Sequence, residues 1–141
     1  RRSREYKGWV VWKKNRFEQT VCKTLNIDVK NYKTIKIEQH HHPIVLEDIC
    51  WIVGLRLLSE LEDGQVLTSF DIVSEVMKEH MAGNVGSVSL TTTLHQAYHE
   101  GLNAIDPNDI QGNYNTFIDK YKEHIPDIVT KRIAKNTSSI N

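Results

Sequence analysis

The chemistry-bearing residues of this chain are its seven histidines: His40, His41, His42, His80, His95, His99 and His124. Three stand side by side in "IEQHHHPI" (37–44), and two more, His95 and His99, are spaced i, i+4 in "TTTLHQAYHEG" (91–101). On a helix that spacing puts both imidazoles on one face about a turn apart, within reach of a single cation. A third ligand from the end of a strand would complete a compact site. Successive strand residues point to opposite faces, so His40 and His41 divide the labour: one ligates metal and the other faces substrate as a base. An unperturbed imidazole pKa of ~6.5 suits such a proton acceptor. His42 reads as exposed beside the site, a candidate phosphate contact. His80, at a helix C-terminus, reads as a cap offsetting the helix dipole, or as a group supporting the metal from outside. His124 reads as a surface residue.

Those side chains need elements to position them. Residues 2–14 read as a helix, with Tyr6, Trp9, Val10 and Lys13 at i, i+3, i+4, i+7. Residues 17–33 are mixed and polar, with "NIDVKN" (26–31) as a turn or loop. "KTIKIEQH" alternates Ile35 and Ile37 against Lys36 and Glu38, which predicts a strand over 34–40 that Pro43 ends. "LEDICWIVGLRLLSEL" (46–61) predicts the main core helix, with Glu47 and Asp48 as its acidic N-terminus. Thr68 or Ser69 caps a helix through "FDIVSEVMKEHM", with Asp71 in its first turn. "GNVGSVSL" (83–90) is a turn feeding a brief strand, and a threonine-capped helix carrying His95 and His99 follows, closed by Gly101. Two short amphipathic helices hinged at Pro126 and a frayed tail complete the chain. Trp9, Trp12 and Trp51 read as core, with Trp12 the best candidate for base stacking.

The 141 residues suffice for one domain with a modest core, and 39% hydrophobic with 26% charged residues places the chain among globular proteins. No apolar run is long enough to span a membrane. No signal peptide is present and the first residue is Arg1, so the chain reads as a piece of a longer protein. Only Cys22 and Cys50 occur, which favours a reducing, cytoplasmic setting. Residues 1–42 carry eleven Lys/Arg against four Asp/Glu, and the excess is densest in "RRSREYKGWVVWKKNR". A basic, tryptophan-containing arm of this kind suits a polyanion, with Arg1, Arg2, Arg4, Lys7, Lys13 and Lys14 as backbone contacts to DNA. A solvated helix face is the competing explanation. Serine or cysteine hydrolases and nucleotide-binding motifs find no support.

The order of parts resembles the HNH nucleases, the ββα-metal superfamily. "IEQHHHPI" is similar to that family's strand-end pattern of ligand, base histidine and proline. "VSLTTTLHQAYH" lines up with Leu-Cys-x-x-Cys-His-x-x-x-His, with Thr91 and Leu94 where cysteines would stand. The flanks "SREYKGW" and "GNYNTFIDKY" look like those of phage-encoded members. The asparagine that names the family falls at Gly86, and Asn84 takes over its bracing of the base loop if the turn is shifted.

The resemblance implies an α+β fold: a small ββα-metal core with a two-stranded ribbon, wrapped by additional helices. It implies a single domain over 1–141, with a basic N-terminal helix and loop (1–33), the core with inserted helices (34–101) and a C-terminal helical extension (102–141). His40, His95 and His99 would hold one divalent cation (Mg, Mn, Zn or Ni), His41 and Asn84 would be catalytic, and His42 would join the arm in binding DNA. The function implied is hydrolysis of DNA phosphodiester bonds, in the host cytoplasm for a phage protein. The rival is a degenerate relative: a DNA-binding or phage structural module that keeps its metal. His41 discriminates between them, since a purely structural site has no use for a neighbouring uncoordinated imidazole.

Overall fold

The computed structural model describes residues 4–16 and 20–138, with residues 14–16 given by their backbone alone. The elements are α1 (Arg4–Arg16), β1 (Val21–Cys22), β2 (Ile27–Asp28), β3 (Ile37–His41), α2 (Leu46–Ser59) and α3 (Ser69–Met81), followed by β4 (Ser87–Thr91), α4 (Thr92–His99), α5 (Tyr114–Tyr121) and α6 (Asp127–Thr137). The class is mixed α+β, with two small antiparallel sheets, β1–β2 and β3–β4.

Local signals account for most of these boundaries. Thr68 and Asp71 form a reciprocal capping box at the start of α3, satisfying two backbone donors the helix cannot. α2 buries Ile49, Ile52 and Val53, an i, i+3, i+4 stripe. With Ile44, Val76, Val85, Phe117, Tyr121 and Val129 this stripe makes the main core between α2, α3, α5 and α6. Burial of each such aliphatic or aromatic side chain stabilises by ~1.5–3 kcal/mol. Asp48 sits in the first turn of α2 and meets Arg132 of α6 at 2.9 Å, tying the C-terminal helix down. Pro126 stands at the N-cap of α6, where the hinge was expected.

Three expectations shift. The stretch 26–31, expected as a turn or loop, contains β2, and β1 lies before it in the mixed, polar segment; these two-residue strands are too short to show an alternation. A left-handed Asn26 and an Asp28 carboxylate accepting from Lys30 N at 2.9 Å shape the turns around them. The strand expected over 34–40 starts at Ile37 and runs through His41. Trp51, expected in the core, is 45% exposed, whereas Trp9 is buried.

β3 and β4 are not joined by a hairpin, because α2 and α3 lie between them in the chain. Ile37 faces Thr91 and His41 faces Ser87, so the ribbon has two distinct faces. One carries Val88 and Leu90 and packs with Ile105, Leu94, Tyr98 and Ile110. The other carries Gln39, Ser87, Ser89 and Thr91, polar yet buried. The Gln39 amide donates to Ser89 Oγ at 2.8 Å, one of the bonds that make this burial tolerable. β4 runs into α4 without a loop: Thr91 is its last residue and the cap of the helix, its hydroxyl accepting from Leu94 N at 3.3 Å.

Candidate metal centre

The register of β3 decides which histidine meets α4. His40 pairs with Val88, so its ring lies on the α4 side, and it is 2% exposed. Its ring centroid is 4.9 Å from that of His95 and 5.2 Å from that of His99. One ring nitrogen from each of the three histidines lies within 4.8 Å of the others. The Nε2 atoms of His95 and His99 are 3.0 Å apart, as the i, i+4 spacing requires when both rings turn to one point. The Tyr98 ring stands edge-on against His40 at 4.6 Å and fills the gap between ribbon and helix. Three neutral imidazoles offer lone pairs suited to a borderline divalent cation.

Sequence reasoning missed Glu38. It precedes His40 by two residues and therefore shares its face of the strand. Its carboxylate takes Oε2 to the Nδ1 of His95 and accepts from the Thr92 hydroxyl at 3.2 Å on Oε1. The signal was the period of two in a strand.

His41 lies on the opposite face, as alternation demands, but it faces no cleft. It is 1% exposed, stacked on Trp9 at 6.1 Å, with its Nε2 at 2.9 Å from Nε2 of His80. His80 Nδ1 lies 2.7 Å from the Val76 carbonyl and must donate to it, so His80 Nε2 accepts and His41 Nε2–H donates. Burial lowers the pKa of His80. A base must reach the proton it abstracts, and His41 in this position does not. His42, expected at the surface, is 2% exposed. Its Nε2 meets the Asn136 carbonyl at 2.9 Å and its Nδ1 the Tyr98 hydroxyl at 3.3 Å, which leaves no ring nitrogen for phosphate. Asn84 Nδ2 donates to Glu79 at 2.7 Å, beside His80, and the Glu79 carboxylate also takes the Lys120 ammonium. Asn84 thus braces the end of α3.

The basic arm is also divided. Arg1 and Arg2 lie outside the described residues, as does the side chain of Lys14. Arg4 and Lys7 are exposed on α1. Lys13, expected to reach DNA, is 7% exposed: its ammonium bonds Ser87 Oγ and lies 5.0 Å from the Trp9 ring centre. Burial lowers its pKa from 10.5 to about 8. Between those two values the unfolded chain holds a proton on Lys13 that the folded chain has released. The unfolded state binds more protons there, so this residue makes stability rise with pH through that window and disfavours folding below it. Lys13→Met is therefore expected to be more stable than the parent near neutral pH and to lack the alkaline rise. Urea unfolding of both proteins from about pH 7 to about pH 10 measures it. A constant difference between them would mean that the buried amine stays charged.

Fold and site together define an α+β protein with a histidine cluster that joins one strand, β3, to one helix, α4. The family model described as "Bacteriophage G278-like virion protein" matches residues 1–140, and the chain belongs to that family. This overturns the resemblance to the HNH nucleases. That likeness rested on two short motifs, 37–44 and 88–99, and on two flanking stretches, whereas the virion-protein match takes in nearly the whole chain. No curated protein and no solved structure matches the chain.

Proposed function

We propose that the protein is a structural component of a phage particle, and that His40, His95 and His99 hold one divalent transition-metal cation as a cross-link between β3 and α4. The convergence of a buried strand histidine with two helix histidines carries the proposal. Membership of a virion protein family supports a place in the particle, rather than a free enzyme in the host cytoplasm. Among the described residues no helix is long and apolar enough to cross a membrane. Nitrogen donors favour Zn²⁺ or Ni²⁺ over Mg²⁺, which prefers oxygen.

The structural role also gives His41 an occupation. Its bond to His80 and its stacking on Trp9 place it in the seam between α1, α3 and the ribbon, so an uncoordinated imidazole beside the ligand no longer argues for catalysis. Titration calorimetry of the chelator-treated protein with Zn²⁺ and Ni²⁺ tests the site. One ion per chain and a raised unfolding temperature are expected, since a ligand at 100 times its Kd stabilises by ~2.7 kcal/mol. Absence of binding to both ions would overturn the proposal. Cleavage of plasmid DNA by the loaded protein, abolished by His41→Ala, would restore the hydrolytic reading.

DNA remains a partner to be tried, through Arg4 and Lys7. Charge reversal of both to glutamate is expected to weaken binding equally for all sequences. The slope of log K against log salt should fall by ~0.9 for each duplex phosphate that is no longer neutralised. Unchanged affinity and slope would leave α1 as a solvated face.

A further inference from the structure

We infer that Glu38 is a positioning residue of this centre: its carboxylate selects the tautomer of His95 and so decides which nitrogen receives the cation. The inference rests on the metal reading above. A carboxylate without a proton only accepts hydrogen bonds, so the His95 nitrogen facing it, Nδ1, must carry the hydrogen. In the neutral ring this leaves the lone pair on Nε2, the atom that lies 3.0 Å from His99 Nε2. The other carboxylate oxygen is held by the Thr92 hydroxyl at the first residue of α4. The acid is thus fixed from the same helix that carries both histidines. Because Glu38 and His40 share one face of β3, a single strand supplies a ligand and the group that orients another ligand. An accepting carboxylate on the far nitrogen also makes the imidazole a better donor to metal.

The experiment uses the full chain and two variants, Glu38→Gln and Glu38→Ala. Nitrogen-15 NMR of the metal-free proteins, above the imidazole titration range, reads the His95 tautomer. Zn²⁺ calorimetry reads affinity. In the parent, His95 is expected wholly as the Nδ1–H form. In Glu38→Ala the Nε2–H form should reappear and Zn²⁺ affinity should drop ~10–100-fold, the usual loss for a group supporting a metal ligand. Glu38→Gln keeps an accepting oxygen without the charge and should fall between the two. A general loss of structure would not move the tautomer of one ring while leaving the other histidine signals in place. A parent that binds Zn²⁺ and an alanine variant that binds it equally well, with the tautomer unchanged, would overturn this inference alone. A parent that binds neither Zn²⁺ nor Ni²⁺ would overturn the metal site, and the role of Glu38 with it.

Discussion

Gly86→Ala is expected to lose more stability than any surface change in this protein, above the ~1–3 kcal/mol usual for overpacking. A Cβ on Gly86 would lie 2.2 Å from the His42 carbonyl oxygen and 3.2 Å from Ile110 Cγ2. The first obstacle is backbone, which no side-chain rotation relieves. It also belongs to the closing end of the ribbon, where His42 N donates to Gly86 O at 3.1 Å and Ser87 exchanges backbone bonds with Gln111 at 2.8 and 2.9 Å. Relief would require β4 to move off β3 just where His40, His41 and His42 are aligned. Urea unfolding measures the loss, and a midpoint shift worth less than ~0.5 kcal/mol would mean that the strands are not closed there. The requirement at Gly86 is space, not a left-handed backbone.

His95→Ala and His99→Ala should each cut Zn²⁺ affinity by more than ~100-fold, beyond what loss of an outer supporting group costs. Each variant leaves two of three imidazoles, and in His99→Ala the Glu38 oxygens stay engaged by His95 and Thr92. Neither change should unfold the metal-free protein. His95 and His99 are not among the buried residues, and α4 is capped by Thr91 and anchored by Leu94 and Tyr98. His124→Ala serves as the control, because that residue lies in the turn between α5 and α6 and outside the histidine cluster. Calorimetric stoichiometry and affinity decide the matter. If either variant binds Zn²⁺ like the parent, the ion sits elsewhere.

The helices and the histidine pair were legible in the sequence for a local reason. Thr68 and Asp71 mark the start of α3, and the spacing of Ile49, Ile52 and Val53 marks the inward face of α2, since both follow from backbone period and from the donors a helix leaves open. The spacing of His95 and His99 likewise determined by itself that two imidazoles share one face. The alternation of a strand set His40 and His41 on opposite sides, whatever lay beyond them. The family was not legible from these signals, because short histidine spacings recur wherever a strand and a helix can share an ion. Tertiary structure alone decided where the polar residues went. Lys13, His41 and His42 look like surface groups by composition, but Ser87, His80 and Asn136 supply their partners from 74, 39 and 94 residues away. Burying a polar group is tolerable only where such partners converge, and convergence over that distance is a property of packing, not of any local pattern.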